Sequence, residues 1–260
     1  MGKIISIVNQ KGGVGKTTTA VNLAAFMGKA GYNTLLIDID PQGNSSSGLG
    51  VNKREIKNSS YELLLGEAEA RDVIIKTEFD RLSVIPANIN LAGAELELAD
   101  MDDRARALAR VTAPLKEEFD YIVLDCPPSL GLITVNALTA SDSLLIPIQC
   151  EYYALEGLTQ LMNTVRTVKR LYNPFLEVEG ILLTMYDSRL NLTSQVVREI
   201  KRYFPQKVYE TAIPRNVRLS ESPSYGKPIC YYDRHSKGNK AYREFAKEFL
   251  AKNGKSTEKI

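Results

Sequence analysis

The chain has 260 residues, 44% of them apolar and 25% charged, which is enough for a full hydrophobic core in one or two domains. No run approaches the roughly 18 apolar residues of a membrane span, and an apolar strand begins within three residues of the N-terminus, so we expect no signal peptide. Cys126, Cys150 and Cys230 lack C-x-x-C spacing and His235 is the single histidine, which argues against a zinc site and for free thiols in a reducing cytoplasm. The net charge of +2 hides an asymmetry: residues 186–260 carry 16 Lys/Arg against 8 Asp/Glu, a balance of +8, so the first 185 residues hold −6. A basic C-terminal third either meets an anionic surface or coats solvated helices, and charge alone does not choose.

The first predicted element is a strand over residues 4–8, followed by Asn9-Gln10-Lys11-Gly12-Gly13-Val14-Gly15-Lys16-Thr17-Thr18 and then a helix over 16–30 closed by Gly31. Its apolar positions Ala20, Leu23, Ala24 and Met27 recur at i, i+3, i+4 and i+7. Glycines between a strand and a helix N-terminus let backbone N–H groups turn inward and cradle a polyphosphate. Lys16 then reaches the β- and γ-phosphates and the Thr17 hydroxyl holds Mg²⁺. The common spacing G-x-x-x-x-G-K-[ST] asks for glycine at position 10, where this chain has Gln10, and a second lysine, Lys11, opens the loop. That lysine has no evident duty to a phosphate already held by Lys16.

A second strand, 34–39, delivers Asp38 and Asp40 two residues apart and so on one face, ahead of Pro41-Gln42-Gly43-Asn44. Asp40 also suits the plain role of a turn residue before proline. Strand 82–85 and one long helix, roughly 93–117, come next. The strand 121–124 then ends in Asp125-Cys126-Pro127-Pro128-Ser129, four apolar residues and a carboxylate in the pattern that holds Mg²⁺ in phosphate-loop enzymes.

Strand 144–148 leads into Gln149-Cys150-Glu151-Tyr152-Tyr153 and a helix over 155–172 that stops before Pro174; the two tyrosines equally suit helix packing. A strand over 180–185 ends at Met185-Tyr186-Asp187, and a helix over 192–203 stops before Pro205. The strand 208–213 ends at Pro214-Arg215-Asn216, and a last helix spans 238–252. This alternation predicts an α/β fold, a mostly parallel, doubly wound sheet with helices on both faces and ligands at the carboxyl ends of the strands. With no linker and no internal repeat, we expect a single phosphate-loop domain over 1–252 and a polar tail over 253–260.

The run Lys11-Gly12-Gly13-Val14-Gly15-Lys16-Thr17, with Asp40-Pro41-Gln42-Gly43, Asp125-Cys126-Pro127-Pro128-Ser129 and Gln149 to Gly157, resembles the ParA/Soj group of deviant phosphate-loop ATPases, to which MinD is also related. The resemblance implies a deviant P-loop NTPase fold, ATP and Mg²⁺ as cofactors, and nucleotide contacts from Lys11 through Thr18. It makes Lys11 a signature lysine that reaches the ATP of a partner subunit across a homodimer. It casts Asp40 as the residue near the attacking water and as part of the metal site with Thr17 and Asp125, with Asp38 acting through the magnesium shell. Glu151 is implied near the ribose, and Met185, Pro214 and Asn216 around the adenine. Arg189 and Arg218 are implied as contacts to non-specific double-stranded DNA, and we add Lys201, Arg202 and Lys227 from the same basic region. The implied cycle is one of chromosome or plasmid segregation: the ATP dimer coats DNA, and a ParB/Spo0J-like centromere-binding partner stimulates hydrolysis in a cytoplasmic, nucleoid-associated protein. The alternative within the resemblance is a MinD-like regulator of division-site placement on the membrane. Such a protein ends in an amphipathic helix with a strongly apolar face. Residues 251–260, Ala-Lys-Asn-Gly-Lys-Ser-Thr-Glu-Lys-Ile, hold too little apolar area for that.

Overall fold

A computed structural model describes residues 2–257 and 260. Seven strands form one sheet: β1 (Lys3–Ile7), β2 (Thr34–Asp38), β3 (Ile75–Lys76), β4 (Leu82–Ile85), β5 (Tyr121–Asp125), β6 (Ser143–Gln149) and β7 (Glu177–Thr184). Their order is β3-β4-β2-β5-β1-β6-β7, parallel throughout except for β3 at the edge. The chain winds outward from β1 on one side and returns to β6 on the other, so the order reverses beside β1. Ligands of open parallel sheets bind at such a reversal.

The helices are α1 (Lys16–Lys29), α2 (Asn44–Gly48), α3 (Ser60–Leu65), α4 (Ala70–Val73), α5 (Ala94–Ala99) and α6 (Ala107–Thr112) in the first half. They continue as α7 (Leu132–Ala140), α8 (Ala154–Leu171), α9 (Asn191–Tyr203), α10 (Val217–Glu221), α11 (Ile229–Tyr232) and α12 (Lys237–Lys252). Two cores result, one on each face. Ile4, Ile37, Ile122 and Leu144 point to the side covered by α3 through α9. Their chain neighbours Ile5, Leu36, Val123 and Leu145 point to the side covered by α1, α11 and α12. Alternate residues of continuous apolar runs thus feed both cores, which is why these strands carry no polar face.

Two predicted elements are corrected. The helix expected over 93–117 is broken into α5, α6 and a 3₁₀ turn at Pro114–Glu117. Asp103 takes a positive φ of 58° between the first two pieces, and Pro114 opens the third. The strand expected over 208–213 is not one: only Val208 and Pro214 bridge to Ile181 and Tyr186. Beyond Tyr209, the N–H groups of Glu210 and Thr211 turn to the Glu248 carboxylate of α12, at 2.9 and 3.0 Å, in place of a ladder. Tyr209 packs its ring where a Cβ on Gly180 would stand, which explains glycine inside β7. The short β3 and the helices α3 and α7 were not anticipated, although Ser59 and Glu62 form a full capping box at the start of α3.

Candidate active site

At the carboxyl edge of the sheet the chain leaves β1 and turns through the glycine loop into α1. Gly13 and Gly15 adopt φ of +73° and +85°, a region that a side chain disfavours, and a Cβ on Gly12 or Gly13 would meet nothing within 4 Å. Side bonds fasten this loop from elsewhere. Asn9 donates its amide to the Pro147 carbonyl at 2.8 Å and accepts the Lys11 N–H at 3.0 Å. The Thr184 hydroxyl at the end of β7 donates to the Val14 carbonyl at 2.8 Å. Val14 itself is buried in the interior, so only its backbone faces the loop.

The loop opens into a cavity of about 510 Å³. It is lined by Gly12, Gly13, Gly15, Lys16, Thr17 and Thr18 of the loop and the start of α1, by Asp40 and Pro128, and by Met185, Pro214 and Asn216. The Tyr186–Pro214 bridge is what sets those last two loops side by side. Met185 holds a positive φ of 47°, and the Asn216 Oδ1 is buried without a hydrogen-bond partner. Tyr242 of α12 reaches the cavity too, sharing a hydrogen bond of 3.1 Å with Thr19.

Lys16 is 6% exposed, and its ammonium donates to the Lys11 carbonyl at 3.1 Å. Burial lowers its pKa, while Asp125 and Asp40 act to keep it charged. Asp38 and Asp125 are register partners at the ends of β2 and β5, and both are fully buried. Burial raises both carboxyls above the usual range, and for Asp125 the Asp38 charge adds to the effect. Hydrogen bonds from Ser46 to Asp38, and from Ser45 to Asp125, work against it. Asp40 does serve as a turn residue: its Oδ1 accepts the Gln42 N–H at 2.9 Å and its carbonyl the Gly43 N–H at 2.8 Å. It lines the cavity as well, so the two roles coexist.

Asp125 Oδ1 is buried and lacks a hydrogen-bond partner. An unpaired carboxylate oxygen beside the Thr17 hydroxyl and Asp40 is an all-oxygen donor set, which fits a hard cation such as Mg²⁺. Among the described residues no group of three or more His, Cys, Asp and Glu side chains could cage a metal. Mg²⁺ bound through one or two carboxylates and a ligand's phosphates needs none.

Other expected residues stand apart from the cavity. Lys11 turns its side chain away from it and ion-pairs with Glu151, whose carboxylate is about half exposed. Lys11 lines a neighbouring groove with Gln10, Tyr153 and Gln160. Arg189 is 86% exposed and grips Asp187 through two bonds of 2.9 and 2.6 Å, holding that carboxyl well below the usual range. Arg218 on α10 bonds Glu221 at 2.8 Å and approaches Asp233 at 3.4 Å. Lys201 and Arg202 are exposed on α9. Lys227 instead lies near the start of α1, beside Thr18 and Asn22. Asn9, Thr184, Ser45, Ser46 and Tyr242 were not anticipated, because each acts on a partner remote in sequence except for the Ser46–Asp38 pair.

The model of the AAA domain family matches residues 2–178. The chain is 58% identical to the sporulation initiation inhibitor protein Soj of Bacillus subtilis over 251 residues, 96% of this chain and 99% of that one. It is 54% identical to the chromosome partitioning protein ParA of Myxococcus xanthus over 250 residues, 96% and 88% of the two chains. Among solved structures, cobyrinic acid a,c-diamide synthase of Mycobacterium smegmatis with bound ADP and magnesium aligns with a TM-score of 0.82 at 37% identity, over 95% and 93% of the chains.

Proposed function

Because the chain belongs to the Soj/ParA family of chromosome-partitioning ATPases, we propose that it couples ATP binding to subunit pairing and retention on DNA, and hydrolysis to release. It is an ATPase that works with ATP and Mg²⁺. The observation that carries the finer reading is the division of labour between two lysines of one loop. Lys16 lines the cavity of its own subunit, whereas Lys11 faces outward and is held by Glu151.

In this reading the N–H groups of residues 12–18 and the Lys16 ammonium hold the phosphates, while Met185, Pro214 and Asn216 wall the adenine. Thr17, Asp125 and Asp40 hold the metal, which supplies charge neutralisation on the β- and γ-phosphates. Asp40 orients the attacking water and accepts its proton. Lys11 exchanges Glu151 for the phosphates of the partner subunit's ATP, a trans contact of the kind that arginine fingers make. Glu151, once released, faces the ribose. Arg189 and Arg218, with Lys201, Arg202 and Lys227, contact DNA phosphates without reading bases. A ParB-like centromere-binding protein stimulates hydrolysis, and the protein is cytoplasmic and nucleoid-associated. Residues 1–252 act as one ATPase domain and 253–260 as a polar tail.

A membrane-bound cycle is disfavoured by α12, whose apolar residues Phe245, Phe249 and Leu250 are fully buried in the core. Among the described residues no helix is long and apolar enough to cross a membrane. The deciding experiment compares retention on non-specific duplex DNA and on anionic liposomes, with ATP and with ADP. DNA retention with ATP alone is expected; retention on liposomes in place of DNA overturns the reading.

A further inference from the structure

Two consecutive serines outside every motif recognised in the sequence hold the two strand-end carboxylates of the site, Asp38 and Asp125. Asp38 and Asp125 sit side by side in register on β2 and β5, two like charges in a layer without solvent access. Ser45 Oγ donates to Asp125 Oδ2 at 2.6 Å. Ser46 gives Asp38 Oδ2 its backbone N–H at 2.8 Å and its hydroxyl at 2.7 Å, and that hydroxyl accepts the Ala87 N–H at 3.0 Å. Both serines are fully buried.

From this geometry we infer that Ser45 is a positioning residue for the metal-binding oxygen of Asp125, and that Ser46 has the separate duty of keeping Asp38 away from it. A carboxylate is free to turn about its Cβ–Cγ bond. With Oδ2 held by Ser45, Oδ1 is the oxygen left unpaired. Leaving a buried charged oxygen without a donor is costly, and a bound cation removes that cost. Ser46 occupies Asp38 Oδ2 with two donors and ties it to the segment at Ala87, so Asp38 is held by its own donors and leaves Asp125 Oδ1 open. The turn bearing Asp40 lies between Asp38 and Ser45, so one short segment is pinned at both ends to the two strands. Outer partners of this kind are commonly worth 10–100-fold in metal affinity.

The inference rests on Asp125 as a metal ligand, and the test separates the two. Mn²⁺ serves as probe on the full chain saturated with ADP, with free Mn²⁺ followed by electron paramagnetic resonance. The parent is expected to bind Mn²⁺ and Asp125→Asn to lose it; an Asp125→Asn protein that binds like the parent removes the metal reading and this inference together. Ser45→Ala and the near-isosteric Ser45→Cys are expected to bind Mn²⁺ at least about tenfold more weakly, with metal-free ADP affinity unchanged. Should Ser45→Ala fail to fold, Ser45→Cys decides alone. Ser46→Ala is expected to lower the melting temperature while keeping Mn²⁺ affinity within about threefold of the parent, well short of the loss of an outer partner. Parent-like Mn²⁺ binding by the folded Ser45 variants, or an equal loss in Ser46→Ala, overturns the assignment while leaving Asp125 in place.

Discussion

The carboxyl edge of the sheet and the basic residues on and beside α9 and α10 are both rich in charge, yet they are built on opposite principles. At the sheet edge, Lys16, Asp38, Asp40 and Asp125 are buried, and three hydrogen-bond donors on α2 fix the two strand-end carboxylates. In the basic region, Arg189, Arg202 and Arg218 are exposed and meet acids two or three residues away, with Asp233 a further partner for Arg218. Buried polar networks are preorganised, and losing a member leaves its partners unsatisfied. Exposed local pairs contribute little, are screened by salt, and are readily exchanged for another anion. The first region is therefore suited to hold one small ligand in one geometry, and the second to change partners.

The sharpest way to break this contrast is Lys16→Ala, which is expected to abolish binding of a fluorescent ATP analogue, since Lys16 is the buried cation that the phosphate loop itself brings to the cavity. Lys11→Ala is expected to bind the analogue normally yet remain monomeric with ATP in size-exclusion chromatography. A Lys11→Ala protein that dimerises like the parent removes the trans role.

Asp40→Ala is expected to bind ATP and Mg²⁺, dimerise, and hydrolyse at least about tenfold more slowly, because a water-orienting group acts mainly in the transition state. Turnover at the parental rate would leave Asp40 its turn role alone.

On the basic face, Arg189→Ala and Arg218→Ala are each expected to weaken DNA binding evenly across sequences, with hydrolysis in the absence of DNA unchanged. In a two-fold dimer each substitution removes two phosphate contacts. At a slope of about −0.9 per contact, log K against log salt then flattens by roughly 2 units. Interferometry over a salt series measures this, and unchanged slopes in both variants would make the face a solvated surface.

The smallest expected effect is a pH test of buried against exposed carboxylates. Burial alone would raise Glu179, but Lys3, Ser143 and Asn253 outweigh it and hold the carboxyl below its ordinary 4.5. Its stabilisation is therefore complete above that value and is lost as pH falls through the folded-state value. Glu179→Gln is expected to melt about 3–6 °C below the parent near neutral pH, for roughly 1.5 kcal/mol of charge-assisted bonding. The gap should narrow once the pH drops below the ordinary glutamate value. Asp187→Asn, whose ion pair with the exposed Arg189 is screened by solvent, should lower the melting temperature by less than Glu179→Gln near neutral pH, and this smaller gap too should fade in acid. Parallel melting curves of the three proteins from acid to neutral pH check both statements.

Local pattern carried much of this in the sequence. Continuous Val/Ile/Leu runs marked β1, β2, β4, β5, β6 and β7, because a strand covered on both faces needs apolar residues at every position. Asp38, Asp40 and Asp125 were legible because strand ends converge on one edge of a parallel sheet, and the glycine loop because its backbone geometry is a property of consecutive residues. What only the tertiary structure decided is where polar groups find partners. Ser45 meets Asp125 across 80 residues, Thr184 meets Val14 across 170 and Thr19 meets Tyr242 across 223. The stretch at 208–213 has the composition of a strand, yet Glu248 takes the N–H groups of Glu210 and Thr211 at its middle. Periodicity reports which side of an element is buried; it carries no information about which distant donor or acceptor will stand opposite once the cores close.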